Sequence, residues 1–179
     1  VRGRLSFGGV YGDRPDQVVV VGSPTLRFDG KSWKEDPALD LLSEGVTGSP
    51  GSPLLAWRFD RTARHDGKTW TPFWTGHPSI QAWAIPRPGA PLAVGKSGLV
   101  VSVDEHGITR HSSSHPQAGW HYGVWGSSPD QVFVTDDAGI LWHWNGSTWA
   151  SQNSGSKKRL IAIHGSGPQH AFAAGGDGT

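Results

Sequence analysis

The sequence predicts an all-β fold of repeated four-stranded sheets, and three observations carry that prediction. A turn motif leading into an apolar strand has anchors at positions 12, 48, 86, 126 and 165, so successive copies lie 36, 38, 40 and 39 residues apart. A tight turn followed by Trp recurs in fixed phase with it, its glycines at 30, 67, 107 and 146. The composition fits many short strands joined by turns. The 26 Gly and 13 Pro are spread through the chain rather than clustered, and no window sustains a helical period of apolar residues.

The first motif is clearest in Gly12-Asp-Arg-Pro15-Asp-Gln-Val18, Gly126-Ser-Ser-Pro129-Asp-Gln-Val132 and Gly165-Ser-Gly-Pro168-Gln-His-Ala171, with degenerate copies from Gly48 and Pro86. The second reads Asp29-Gly30-Lys-Ser-Trp33, Asp66-Gly67-Lys-Thr-Trp70 and Asn145-Gly146-Ser-Thr-Trp149, with a weaker copy at His106-Gly107. Asp-Gly and Asn-Gly are strong hairpin signals, and they predict type I′ turns, whose central residues both need positive φ.

Between these signals each unit reads as four strands. The first ends at Tyr11, Trp125 or His164, just before the anchoring Gly. The second is apolar: Val18–Val21, Leu54–Trp57, Leu92–Val94, Val132–Val134 and Ala171–Ala174. The third runs into the hairpin: Thr25–Phe28, Thr62–His65, Leu99–Val103 and Ile140–Trp144. The fourth starts at Ser32, Thr69, Ile108 and Thr148. The units span about 5–41, 42–78, 79–117 and 118–156, with a partial fifth over 157–179. Four strands in each forty-odd residues, repeated, is the pattern of a β-propeller. The expected arrangement is one propeller domain or a segment of one: a five-bladed ring, part of a longer ring, or two chains sharing a ring.

Charge and composition exclude several classes. Formal net charge is +1, from 16 basic and 15 acidic residues without strong segregation, so the electrostatic footprint of a nucleic-acid binder is absent. The run Lys157-Lys158-Arg159 reads as a solvated turn. There is no Cys, so no disulfide is needed, and no apolar run is long enough to span a bilayer. Met is absent, position 1 included, which fits a chain that begins after processing or is part of something longer.

The runs Gly123-Val-Trp-Gly-Ser-Ser-Pro-Asp-Gln-Val-Phe-Val134 and Gly139-Ile-Leu-Trp-His-Trp-Asn-Gly-Ser-Thr-Trp149 resemble the tandem propeller repeats of bacterial envelope and secreted proteins, frequent in myxobacteria. The resemblance is close for units one, four and five and weak for units two and three. It implies a propeller fold and an exported or cell-surface setting. It carries no catalytic residues to transfer. The Asp-box of sialidases and the WD40 signature both fit less well.

The Trp that follows each hairpin (Trp33, Trp70, Trp149) recurs with the scaffold and is expected to pack between sheets. Residues that break the repeat are the better binding candidates. They are Trp74 in a connector, the pair Trp120 and His121, and Trp142 with Trp144, which share one face of a strand while His143 points away. Exposed Trp suits a protein partner, and equally the apolar faces of a sugar. His111, His115 and His121 form a local histidine cluster in a Ser-rich loop, without a rigid element to fix a tetrahedral metal site. Acidic pairs such as Asp136-Asp137 and Glu35-Asp36 are expected as solvated turns. No metal, cofactor or catalytic residue is assigned. The expected function is a non-enzymatic binding module that engages a protein partner or self-assembles. A lectin with blade-related sites is the alternative from another class, and a propeller glycoside hydrolase is the third.

Overall fold

The computed structural model describes residues 6–36, 43–76, 79–87, 89–104, 107–111, 119–167 and 169–178. The chain divides into two units, Val1–Ser79 and Ile80–Thr179. In the first, β1 (Ser6–Arg14), β2 (Gln17–Ser23), β3 (Leu26–Phe28) and β4 (Trp33–Glu35) form an antiparallel meander. A second meander follows in β5 (Gly45–Thr47), β6 (Leu54–Arg58), β7 (Arg61–His65) and β8 (Trp70–Thr75). The second unit holds β9 (Ile80–Ala84), β10 (Leu92–Gly95), β11 (Leu99–Asp104) and β12 (Gly107–Arg110) as one sheet. It continues with β13 (His121–Ser128), β14 (Gln131–Asp136), β15 (Ile140–Trp144) and β16 (Trp149–Asn153) as another. A two-stranded sheet of β17 (Leu160–Gly167) and β18 (His170–Gly175) ends it. The second, third and fourth strands begin within one residue of where the repeat places them.

The core of each unit forms between sheets, along their second strands. In the first unit Val19, Val21, Val46, Ala56 and Ala63 are buried together, with Tyr11, Leu54 and Trp70 packed against them. In the second, Ala84, Leu92, Val94, Val100, Val124, Val132 and Val134 are buried, covered by Ala82, Trp142, Trp144 and Trp149. Trp70 and Trp149 therefore pack as the repeat requires. Trp33 differs: it is half exposed and rests tilted on Phe28 at 5.2 Å. It belongs to the first sheet, which has no preceding sheet among the described residues to receive it.

The first motif encodes more than a turn. β1, β13 and β17 run past Gly12, Gly126 and Gly165, where the sequence suggests an end, and each takes in one extra residue as a bulge before the hairpin closes. The closing turn is two residues, Pro15-Asp16 in one copy and Pro129-Asp130 in another. Pro fits there because its φ is preset and its missing N–H is not needed by the ladder. Glycine is needed where the bulge begins. A Cβ on Gly165 would lie 2.6 Å from the His170 carbonyl oxygen and 2.8 Å from the Trp125 ring.

The Trp-bearing hairpins correct the type I′ expectation. The registers Phe28↔Trp33, His65↔Trp70 and Trp144↔Trp149 leave four-residue loops. Only the Gly has positive φ in these loops, at 88°, 100° and 95°. The residue before it acts through its side chain instead. Asp29 Oδ1 accepts from the Lys31 and Ser32 N–H groups at 3.0 and 2.9 Å, Asp66 Oδ1 from Lys68 and Thr69 at 2.9 Å each, and Asn145 Oδ1 from Ser147 and Thr148 at 3.0 and 2.9 Å. An Asx head thus closes each loop.

These contacts separate a glycine that the fold requires from one it tolerates. Gly165→Ala is expected to cost about 1–3 kcal/mol, the range for forcing an extra group into packed structure. Gly167→Ala, two residues on, meets nothing within 4 Å and should leave stability unchanged. Urea unfolding of the two variants beside the parent chain checks the pair.

Candidate functional site

The hairpin end of the first unit carries an open groove of about 740 Å³ between its two sheets. The cross-strand pairs Val18↔Phe28 and Leu54↔His65 flank it, and Tyr11 lines it as well. Its rim holds Asp13, Asp16, Asp29 and Asp66 against Arg14 and Arg27. Asp29 is held well below the usual carboxylate range by its Lys34 partner, 2.7 Å away, and by the Ser32 and Lys31 N–H groups. Asp66 is lowered by the N–H groups of Thr69 and Lys68.

A polar chain stiffens the wall of this groove. Asp36 accepts from Arg27 at 3.0 Å and from the Trp70 indole N–H at 3.2 Å. The Arg27 guanidinium also reaches His65 Nε2 at 3.0 Å, while the Gly67 N–H donates to His65 Nδ1 at 3.0 Å. A neutral imidazole has one lone pair to offer, so these two donors compete for it, and an imidazolium has none. Asp36, expected in a solvated turn, is instead built into the wall, its side chain 15% exposed.

The second unit has a smaller cleft of about 170 Å³ at the equivalent register, flanked by Leu92↔Ser102 and Val132↔Trp144. Its lining is apolar and aromatic, with His111, Trp144 and Trp149. Trp144 and Trp149 lie 5.5 Å apart. The Trp149 Nε1 is shielded from solvent and has no acceptor among the described residues.

A loop cluster at the other end of the same unit gathers residues 96–98, 119–122, 137–139 and 157–159. Gly98 N–H donates to the Gly119 carbonyl at 2.8 Å, and Trp120 and Asp137 exchange two hydrogen bonds at 3.1 Å each. Trp120 and Tyr122 stack at 6.2 Å and 18°. Lys96 Nζ sits 5.6 Å over Trp120, and the Arg159 guanidinium 5.4 Å over Tyr122.

The five residues singled out from sequence are not brought to one place. Trp74 is half-buried on β8 of the first unit, opposite Thr62. The other four belong to the second unit. Trp142 and Trp144 do share a face of β15, but both pack on the core, and Trp142 donates to Asp136 Oδ2 at 2.9 Å. His143, on the opposite face, stacks on Phe133 at 4.4 Å and 11°. His121 is 2% exposed, inside the fold, whereas Trp120 opens the loop cluster. His115 lies outside the described residues, and His111 contacts Ser102 Oγ at 2.8 Å. Asp136 is no solvated turn: it is buried, and its Oδ1 accepts from the Ala138 and Ile140 N–H groups at 3.0 and 2.7 Å. Sequence reasoning missed Lys96, Tyr122 and Arg159 as a set, and both clefts. Tyr122 carried a signal: it occupies a bulge position filled by Gly8 and Ile161 in the matching strands.

His65 makes the first unit sensitive to pH. Burial first, and the Arg27 charge second, hold its pKa below the ordinary 6.5, with Asp36 and Asp66 opposing. The unfolded chain therefore takes up a proton near pH 6.5 that the folded chain resists, so stability is complete above that value and is lost as pH falls toward the depressed folded pKa. Burial lowers His111 in the same direction. Urea midpoints should drop between pH 7.5 and 5.5, and His65→Gln should flatten, without abolishing, that dependence.

No family model matches the chain, and no curated protein matches it. Solved structures do. YCF48 bound to D1 peptide superposes with a TM-score of 0.78 at 16% identity, over 99% of this chain and 63% of that one. YCF48 from Cyanidioschyzon merolae gives 0.72 at 16%, over 96% and 64%. The extracellular domain of the putative hybrid two-component system BT3049 from B. thetaiotaomicron gives 0.69 at 7%, over 94% and 27%. The chain spans less than two thirds of the length of each. At these identities the likeness shows the fold alone, and that fold is the β-propeller.

Proposed function

We propose that this chain is a non-enzymatic binding module that takes an extended segment of a partner protein. The groove of about 740 Å³ in the first unit carries the reading. It offers apolar floor at Tyr11, Phe28 and Leu54 and charges of both signs at its rim, the mixture that holds a peptide by side-chain pockets and polar contacts. The wall is preorganised by the Arg27–Asp36–Trp70 chain, which limits the entropy lost on binding. That a propeller of the same fold, YCF48, has been solved bound to a peptide supports the same use of the scaffold.

The blades belong, on this reading, to a larger ring. Val10 is 66% exposed while its repeat equivalent Val124 is 8% exposed, and Phe172 is 79% exposed against 6% for Phe133. β1 and β18 thus present apolar side chains that a further sheet of the same repeat would cover, from the same protein or a second copy. The repeat's resemblance to bacterial envelope and secreted propellers supports an exported or cell-surface setting.

A lectin is the second reading, favoured by one observation. Clefts recur at the same register in both units, and the second is lined by Trp144 and Trp149, whose rings suit the apolar face of a sugar. If a glycan array gives a hit, Trp144→Leu should keep the cleft apolar and lose the binding.

Panning a random peptide library against the chain tests the leading reading. Enriched peptides should bind in the micromolar range, and Arg14→Ala with Phe28→Ala should weaken them about tenfold or more, as loss of a central contact does. Recovery of no peptide, or of peptides indifferent to both substitutions, contradicts it.

A further inference from the structure

The loop cluster of the second unit is a separate site with a chemistry of its own. Trp120 and Tyr122 form a stacked pair, 6.2 Å between centroids, with a cation over each end: Lys96 on Trp120 and Arg159 on Tyr122. Arg159 also lies 3.4 Å from the Tyr122 hydroxyl. The repeat does not require this arrangement. Tyr122 is the extra residue of a bulge, and the matching positions hold Gly8 and Ile161. Bulges re-aim side chains and are over-represented beside functional sites.

The surrounding loops are pinned rather than loose. Gly139 passes so close to the Ser156 and Lys158 carbonyl oxygens that an added Cβ would lie 2.8 and 2.7 Å from them. Lys158 N–H donates to Ser156 Oγ at 3.0 Å, and Gly176 N–H to the Arg159 carbonyl at 3.0 Å. These loops hold Lys96 and Arg159 against the two rings, and both cations are exposed, as is Lys157 two positions before Arg159 in the chain. Of the neighbouring carboxylates, Asp177 pairs with Lys158 at 3.0 Å, and Asp137 accepts the Trp120 N–H while its charge acts on Arg159. The patch carries a positive excess on a chain whose formal net charge is only +1.

We propose that this cluster docks an acidic, extended segment of a partner protein. Carboxylates would meet the Arg159 fork and the Lys96 and Lys157 ammonium groups, and the apolar stems beside them would lie along the Trp120 and Tyr122 rings. Charge complementarity selects this occupant. A nucleic acid needs a longer basic stripe than one loop cluster supplies. The site is independent of the groove in the first unit, so either can fail without the other.

Fluorescence anisotropy with a labelled ten-residue peptide of alternating Glu and Tyr tests it, with the Lys-for-Glu peptide as control. The acidic probe should bind and the basic one should not, and binding should weaken as salt rises. Arg159→Gln and Lys96→Gln should each weaken the acidic probe about fivefold, and together by more than tenfold, with the thermal midpoint unchanged because both side chains are exposed. Arg14→Ala, in the other groove, should have no effect. Absence of binding, equal binding of both probes, or indifference to Arg159→Gln and Lys96→Gln overturns the proposal. So does tighter binding of heparin or an oligothymidylate than of the acidic peptide.

Discussion

The fold depends on covering the second strands of the four-stranded sheets. A four-stranded meander of short strands is too small to be stable alone, so its apolar face must lie against another sheet. The sequence answers with Val and Ala at those positions: Val19 and Val21, Ala56, Ala93 and Val94, Val132 and Val134 are all at most 3% exposed. Each buried Val contributes roughly 1.5–3 kcal/mol, and β-branched side chains suit the pleat. Small residues let neighbouring sheets approach closely, and Trp70 and Trp149 close the edges of the interface.

That constraint fixes what is left for function. Inward-facing residues on the second strands of the four-stranded sheets are committed to packing, and so are the aromatic residues that reach them, which is why Trp142 and Trp144 belong to the core. Side chains at the two ends of the sheets are released from it. The hairpin end of the first unit opens a groove, and the loop end of the second displays Trp120 and Tyr122 between two cations. Even there the scaffold intrudes, because Asp36 and Asp136 look like turn residues yet accept indole N–H groups from Trp70 and Trp142.

The strands were legible because repetition supplies its own alignment: five copies of one pattern outweigh the ambiguity of any single short apolar run. The hairpin chemistry was legible in kind but not in geometry. Asp-Gly suits a two-residue turn and equally a four-residue Asx loop, and only the register, Phe28 opposite Trp33, decides between them. Bulges at Asp13, Ser127 and Ser166 were hidden, since an extra residue leaves no compositional trace. Trp120 stood out as a ring that breaks the repeat. Its partners did not, because Lys96 and Arg159 lie in other loops, 24 and 39 positions away, and only folding brings them together. His121 was conspicuous beside Trp120, but alternation along β13 turns it inward.

A packed repeat scaffold of this kind carries binding only at its ends, which amide hydrogen exchange with and without a saturating bound peptide measures. Exchange should be slow in β2, β6, β10 and β14 and unchanged by the peptide, with new protection confined to the hairpin groove or to residues 96–98, 119–122 and 157–159. Protection spreading over the second strands, or none at either end, would show that binding is not confined to the ends.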